Sequence, residues 1–171
     1  IRRCGKSVLL LELFYRYLKE SGVDDAHILQ YKLDNIKSRN LRNPEALYDD
    51  ITAKLSDDGI YYVCLDEIQF VDGFSELLNS LNQIPNVDVY VTGSNSKFLS
   101  TDILTEFRGR GDEIRVYPLS FAEFYSEKGG DKYDAWNEYF LFGGMPALLE
   151  RKTDEQKIEY LKHLINKVYL S

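Results

Sequence analysis

The chain has 171 residues, 44% of them apolar and 29% charged, and carries a formal net charge of −7. That length suits one domain with a sizeable core and at most a small appendage; the acidic balance argues weakly against a general nucleic-acid surface, which needs a basic face, and leaves room only for a local one. No apolar run approaches the roughly 20 residues of a membrane span, no signal peptide is recognisable, and two cysteines with two distant histidines (His27, His163) give neither a disulfide framework nor metal-ligand spacing, so a soluble cytoplasmic protein without structural metal is expected.

Residues 7–21, SVLLLELFYRYLKES, have polar side chains at Glu12, Arg16, Lys19 and Glu20, which form one narrow solvated stripe. A helix buried on most sides follows from that pattern, with Gly22 as its terminator. AHILQYKLD (26–34) reads as a strand. Asn43-Pro44 starts the next helix, Asn as N-cap and Pro at the first position, with Leu47, Ile51 and Leu55 on one face. IYYVCLDE (60–67) is an apolar run of β-formers ending in two acids, the pattern of a strand buried on both faces. A helix over Phe74 to Ile84, a buried strand VDVYVTGS (87–94), a polar helix from Lys97 to Phe107 and a last strand DEIRVYPLS (112–120), stopped by Pro118, complete an alternating α/β pattern with a parallel sheet. From Ser120 strand signals vanish. Ser120 and Glu123 form a capping-box pattern, Gly129-Gly130 breaks the chain, YDAWNEYFLFGGMP is a helix ended by Gly143-Gly144, and Ile158, Leu161, Leu164, Ile165 and Val168 mark the stripe of a last helix. The expected division is an α/β core over 1–119 and a helical tail or lid over 120–171.

The chemistry concentrates at a few points. Gly5-Lys6-Ser7 opens the first helix and matches the second half of a phosphate-binding P-loop, G-x-x-x-x-G-K-[ST], whose first glycine would fall one residue before Ile1. A helix N-terminus offers unpaired N–H groups to phosphate. Lys6 would reach the β- and γ-phosphates, and the Ser7 hydroxyl would ligate Mg²⁺. Asp66 and Glu67 end a buried strand, at the edge where open α/β sheets bind ligands. Asp66 would share the Mg²⁺ with Ser7, and Glu67 would orient or polarise the attacking water. Beyond the next strand, Ser94 or Asn95 would touch the γ-phosphate or that water, against the alternative of a plain turn. Arg110, in Arg108-Gly109-Arg110, suits a transition-state role within the chain or toward a neighbouring subunit; a surface salt bridge is the alternative.

IRRCGKSVLL, YYVCLDEIQ, VTGSNSKFLS, FRGRGDEIRVYPLSFAEF and FGGMPALL occur in this order, and together they resemble the prokaryotic AAA+-type P-loop ATPases with a G-[IV]-R-R-x-G-K-[ST] loop, usually followed by a C-terminal domain of unknown function. The resemblance implies an ASCE-type core with sheet order 5-1-4-3-2, and ATP and Mg²⁺ as ligands. It implies that Arg3, Cys4, Gly5, Lys6, Ser7 and Val8 hold the nucleotide, with Asp66 and Glu67 as the Walker B pair and Ser94 or Asn95 as sensor. Arg110 matches the family's G-R position.

Against that pattern the chain lacks the strand before the loop and the C-terminal domain, so the expectation is a piece of a longer protein that binds nucleotide weakly by itself. The missing strand would be central, and upstream residues, a partner chain or a rearrangement would fill its place. The leading reading is an ATP-hydrolysing motor or switch for a domain in cis or a partner, with a homo-oligomer and nucleic acid as open possibilities and no membrane. A P-loop nucleotide kinase and a non-hydrolysing, nucleotide-dependent interaction module are the alternatives. A GTPase would need an N-K-x-D motif, which is absent.

Overall fold

The computed structural model describes residues 3–93 and 111–169. The chain divides into two compact units, one of Ser7–Asp112 and the other of Ile1–Lys6 with Glu113–Ser171.

In the first unit, α1 (Lys6–Val8), a π-helical stretch Leu9–Phe14 and α2 (Tyr15–Glu20) form one continuous helical run. It ends in a paired-hydrogen-bond cap: Val23 N donates to Leu18 O and Gly22 N to Lys19 O, with Gly22 left-handed as expected. β1 (Ile28–Lys32) is shorter than the sequence suggests, because the Asp24 side chain accepts from Ala26 N and turns Asp25–His27 into a 3-10 helix. α3 (Pro44–Thr52) starts as expected, Asn43 accepting from Ala46 N at 2.9 Å. β2 (Tyr61–Asp66), α4 (Phe74–Leu81) and β3 (Val87–Val91) follow.

The three strands are parallel in the order β1-β2-β3, β2 central. Side chains alternate across β2. Tyr61, Val63 and Leu65 join Leu47 and Ile51 of α3 and Leu77, Leu78 and Leu81 of α4 in the main core, while Cys64 meets Leu10 and Leu11 of the first helical run on the other face. The result is a helix–sheet–helix sandwich.

Three expectations are corrected here. The first helical run is not buried on most sides: Val8, Leu9, Leu13 and Tyr17 are exposed while Leu10, Leu11 and Leu18 are buried. β3 is only half-buried, because among the described residues it pairs on one edge alone. Residues 112–117 form no strand; they pair with no strand among the described residues, and Ile114 and Tyr117 are exposed. An apolar alternation makes a strand only where another edge takes its N–H and C=O groups. The polar helix expected over Lys97 to Phe107 lies outside the described residues.

The second unit holds α5 (Phe121–Lys128), α6 (Lys132–Phe142) and α7 (Asp154–Tyr169). Both halves of the capping box at Ser120 and Glu123 are present. Phe121, Phe124, Trp136 and Tyr139 pack as an aromatic cluster between α5 and α6. On α7, Tyr160 packs with Met145 and Leu148, and Leu161 and Leu164 lie against them; Ile158 and Ile165 of the expected stripe are exposed instead.

Candidate nucleotide site

The turn ahead of the helix is built by left-handed residues. Arg3 has φ 63° and Gly5 φ 98°. Two such residues one apart turn the backbone sharply, and successive N–H groups in turns of this type converge into anion-binding concavities. At φ 98° any side chain would strain the backbone, which accounts for glycine at position 5. Cys4 is buried and its thiol donates to Val116 O at 3.3 Å. Lys6 Nζ lies 4.0 Å from Cys4 Sγ. The Arg3 guanidinium sits over the Tyr160 ring of α7, 5.8 Å from its centroid. Ser7 is half-buried and Val8 exposed.

At the end of β2, Asp66 is buried, and the register that pairs Leu65 with Val91 brings Thr92 beside it. The Thr92 hydroxyl donates to Asp66 Oδ1 at 2.5 Å and accepts from Glu67 N at 3.1 Å. The backbone closes the same joint: Thr92 N donates to Leu65 O and Ile68 N to Thr92 O. Glu67 itself is left-handed at φ 57°, and Gln69 Nε2 donates to its carboxylate. Arg3 and Glu67 are the two non-glycine residues with positive φ among those described, and each falls in one of the two motifs read from the sequence. Such conformations cost of order 1–3 kcal/mol and concentrate at functional sites.

Ser7 and Asp66 belong to the same unit, and contacts orient the helix that begins near Ser7. Leu10 and Leu11 meet Cys64, whereas Phe14 stacks edge-on against Tyr62. Helix numbers rise as strand numbers fall, so the helix runs antiparallel to β2 with its N-terminus toward the Asp66 edge. The start of the helical run, with Ser7, thus lies toward the strand end that carries Asp66. The donors are hard oxygens, a hydroxyl and a carboxylate whose Oδ2 has no hydrogen-bond partner among the described residues, and this set fits Mg²⁺. Cys64 is no alternative ligand: burial, then the charge of Asp88, pushes its thiol up to about 12, so it stays protonated.

Ser94, Asn95 and Arg110 lie outside the described residues. Sequence reasoning missed Thr92, whose hydroxyl ties the Asp66 carboxylate to the backbone of Glu67. Its signal was available only as a register: the first position after VDVYV is level with Asp66 once β2 and β3 pair in parallel.

The family model of the AAA domain matches residues 1–125. An uncharacterized protein of Haemophilus influenzae is 36% identical over 157 residues, covering 87% of this chain and 38% of the relative. An uncharacterized protein of Methanocaldococcus jannaschii is 25% identical over 190 residues, covering 99% of this chain and 39% of the relative. The chain thus spans about two fifths of the length of these relatives. No solved structure matches it.

Proposed function

Since the chain belongs to the AAA domain family, we propose that it binds ATP with Mg²⁺ and hydrolyses it in the whole protein, as a motor or switch for an attached or partner domain. The observation that carries this reading is the Asp66–Thr92–Glu67 joint, in which one hydroxyl orients a buried carboxylate and the backbone of its neighbour. Lys6 places its ammonium on the β- and γ-phosphates, and the turn of Arg3, Cys4 and Gly5 with the N–H groups of Ser7 and Val8 receives the phosphate chain. Ser7 and Asp66 would hold Mg²⁺, which when bound would neutralise charge on the phosphate oxygens. Glu67 orients the attacking water and takes its proton, with Gln69 holding the carboxylate. Asn95 or Ser94 contacts the γ-phosphate, and Arg110 stabilises the transition state. The two cysteines, both free thiols, suit a reducing cytoplasm. No helix among the described residues is long and apolar enough to cross a membrane.

Two variants test this in the whole protein. Lys6→Ala abolishes ATP binding measured by calorimetry. Glu67→Gln keeps binding and loses at least about a hundredfold in turnover, the scale of a removed general base. Turnover unchanged in Glu67→Gln overturns the role given to Glu67, whereas ATP binding without any turnover in the parent protein leaves the non-hydrolysing interaction module as the reading.

A further inference from the structure

The second unit contains an open recess of ≈ 870 Å³, whose lining includes Arg3, Arg151, Lys152, Tyr160 and His163. We infer that it binds a small diphosphate-bearing molecule, at a site that borders the P-loop turn through Arg3 and draws its other cations from Arg151 and Lys152.

Four observations converge. The volume lies within the range of small-molecule sites, about 300–1,000 Å³. Three permanent cations surround it, and two of them are pre-positioned by one ring: the guanidinium carbons of Arg3 and Arg151 lie 5.8 Å and 5.3 Å from the Tyr160 centroid. Guanidinium groups drawn over a ring by cation–π attraction still have N–H donors to offer oxyanions. Among the described residues neither Arg3 nor Lys152 has a carboxylate partner. Finally, Tyr160 is 7% exposed, and its hydroxyl is buried with no hydrogen-bond partner among the described residues. Leaving such a group unsatisfied costs about 1–3 kcal/mol, a cost that a ligand oxygen would relieve after a small adjustment of the side chains above it.

The remaining charges fit an anion of two groups. Glu150 and Glu159 also line the recess, but their side chains are 79% and 75% exposed. Glu150 reaches Arg151 only at 3.9 Å, and Glu159 lies 3.8 Å from His163. Exposed pairs at such distances contribute little and yield to a competing anion. The Tyr160 ring is covered by the arginines, so it is no platform for a base; recognition goes through phosphate oxygens. Gln156, whose carbonyl already accepts from Lys152 N, fixes the loop that carries the cations against α7.

The test titrates inorganic pyrophosphate into the whole protein by calorimetry, in a Lys6→Ala background that silences the P-loop. One site is expected to persist there and to weaken at least tenfold when Arg151→Gln and Lys152→Gln are added, while the same pair in a Lys6 background leaves ATP binding unchanged. Tyr160→Phe keeps the ring and the fold, and is expected to weaken pyrophosphate several-fold while raising the melting temperature of the unliganded protein. Pyrophosphate binding that vanishes with Lys6→Ala alone, or that is indifferent to the Arg151 and Lys152 changes, overturns the proposal. ATP binding that survives Lys6→Ala would sink the P-loop reading instead and leave the recess to be judged by its own variants.

Discussion

Thr92 carries more than its place at a strand end suggests, because one hydroxyl holds both the Asp66 carboxylate and the backbone of Glu67. Thr92→Val keeps the shape and removes both hydrogen bonds, leaving Asp66 Oδ1 and the Glu67 N–H without them. The expected cost is about 1–2 kcal/mol, read from the urea midpoint, with turnover falling about tenfold as Asp66 and Glu67 lose their orientation. Thr92→Ser, which restores the hydroxyl, is expected to recover both; failure of the serine variant would assign the effect to packing of the methyl. The acids themselves were legible in the sequence, since an apolar run ending in Asp-Glu defines a strand end locally. Thr92 was not, because its role depends on the pairing of Leu65 with Val91, a register that no local pattern encodes.

Elements defined by local chemistry were the most legible. Asn43-Pro44, Ser120 with Glu123, and Gly22 each start or stop a helix through groups within four residues, and each appears where expected. The strand over 112–120 failed for the opposite reason, its identity depending on a partner edge far away in sequence. Two motifs that looked unrelated turn out to be one joint. Leu119 N donates to Gly144 O at 2.7 Å, Tyr139 Oη donates to Leu119 O at 2.9 Å, and a Cβ on Gly144 would lie 2.0 Å from that same Leu119 oxygen. The glycine before Met145-Pro146 is thus required by close approach of the Pro118-Leu119-Ser120 backbone. Gly144→Ala must displace main chain, and is expected to cost about 2–3 kcal/mol in thermal or denaturant unfolding. Gly111→Ala, with open space around it and no positive φ, is the control and stays within about 0.5 kcal/mol of the parent.

For the whole molecule, the two units rest on different physics, and acid separates them. Ser7–Asp112 is held by an apolar core in which Leu33, Leu47, Ile51, Tyr61, Val63, Leu65, Ile68 and Leu81 have no exposed surface. The helical unit depends more on charge: Glu138 of α6 accepts from Lys128 of α5 and lies 3.0 Å from the buried Lys157 of α7. Burial pushes the Glu138 carboxyl up, but the hydrogen bonds from Lys128 and Lys157 outweigh it and hold the group below the usual glutamate range. A folded-state value below the unfolded one means stability that is complete above the unfolded pKa, about 4.3, and lost as pH falls through the folded value. The only tryptophan, Trp136, lies on α6, so its emission reports the helical unit alone. Acidification from pH 7 toward 3 is expected to shift Trp136 emission before the strand signal in circular dichroism changes. Glu138→Gln removes the titrating group and leaves Lys157 with Asp154 at 3.4 Å as its remaining carboxylate. That variant is expected to lose about 2 kcal/mol at pH 7 and to flatten the acid limb of the tryptophan curve. If its acid transition instead coincides with that of the parent, the charge tie is not what holds the three helices, and the aromatic cluster of Phe121, Phe124, Trp136 and Tyr139 must carry them.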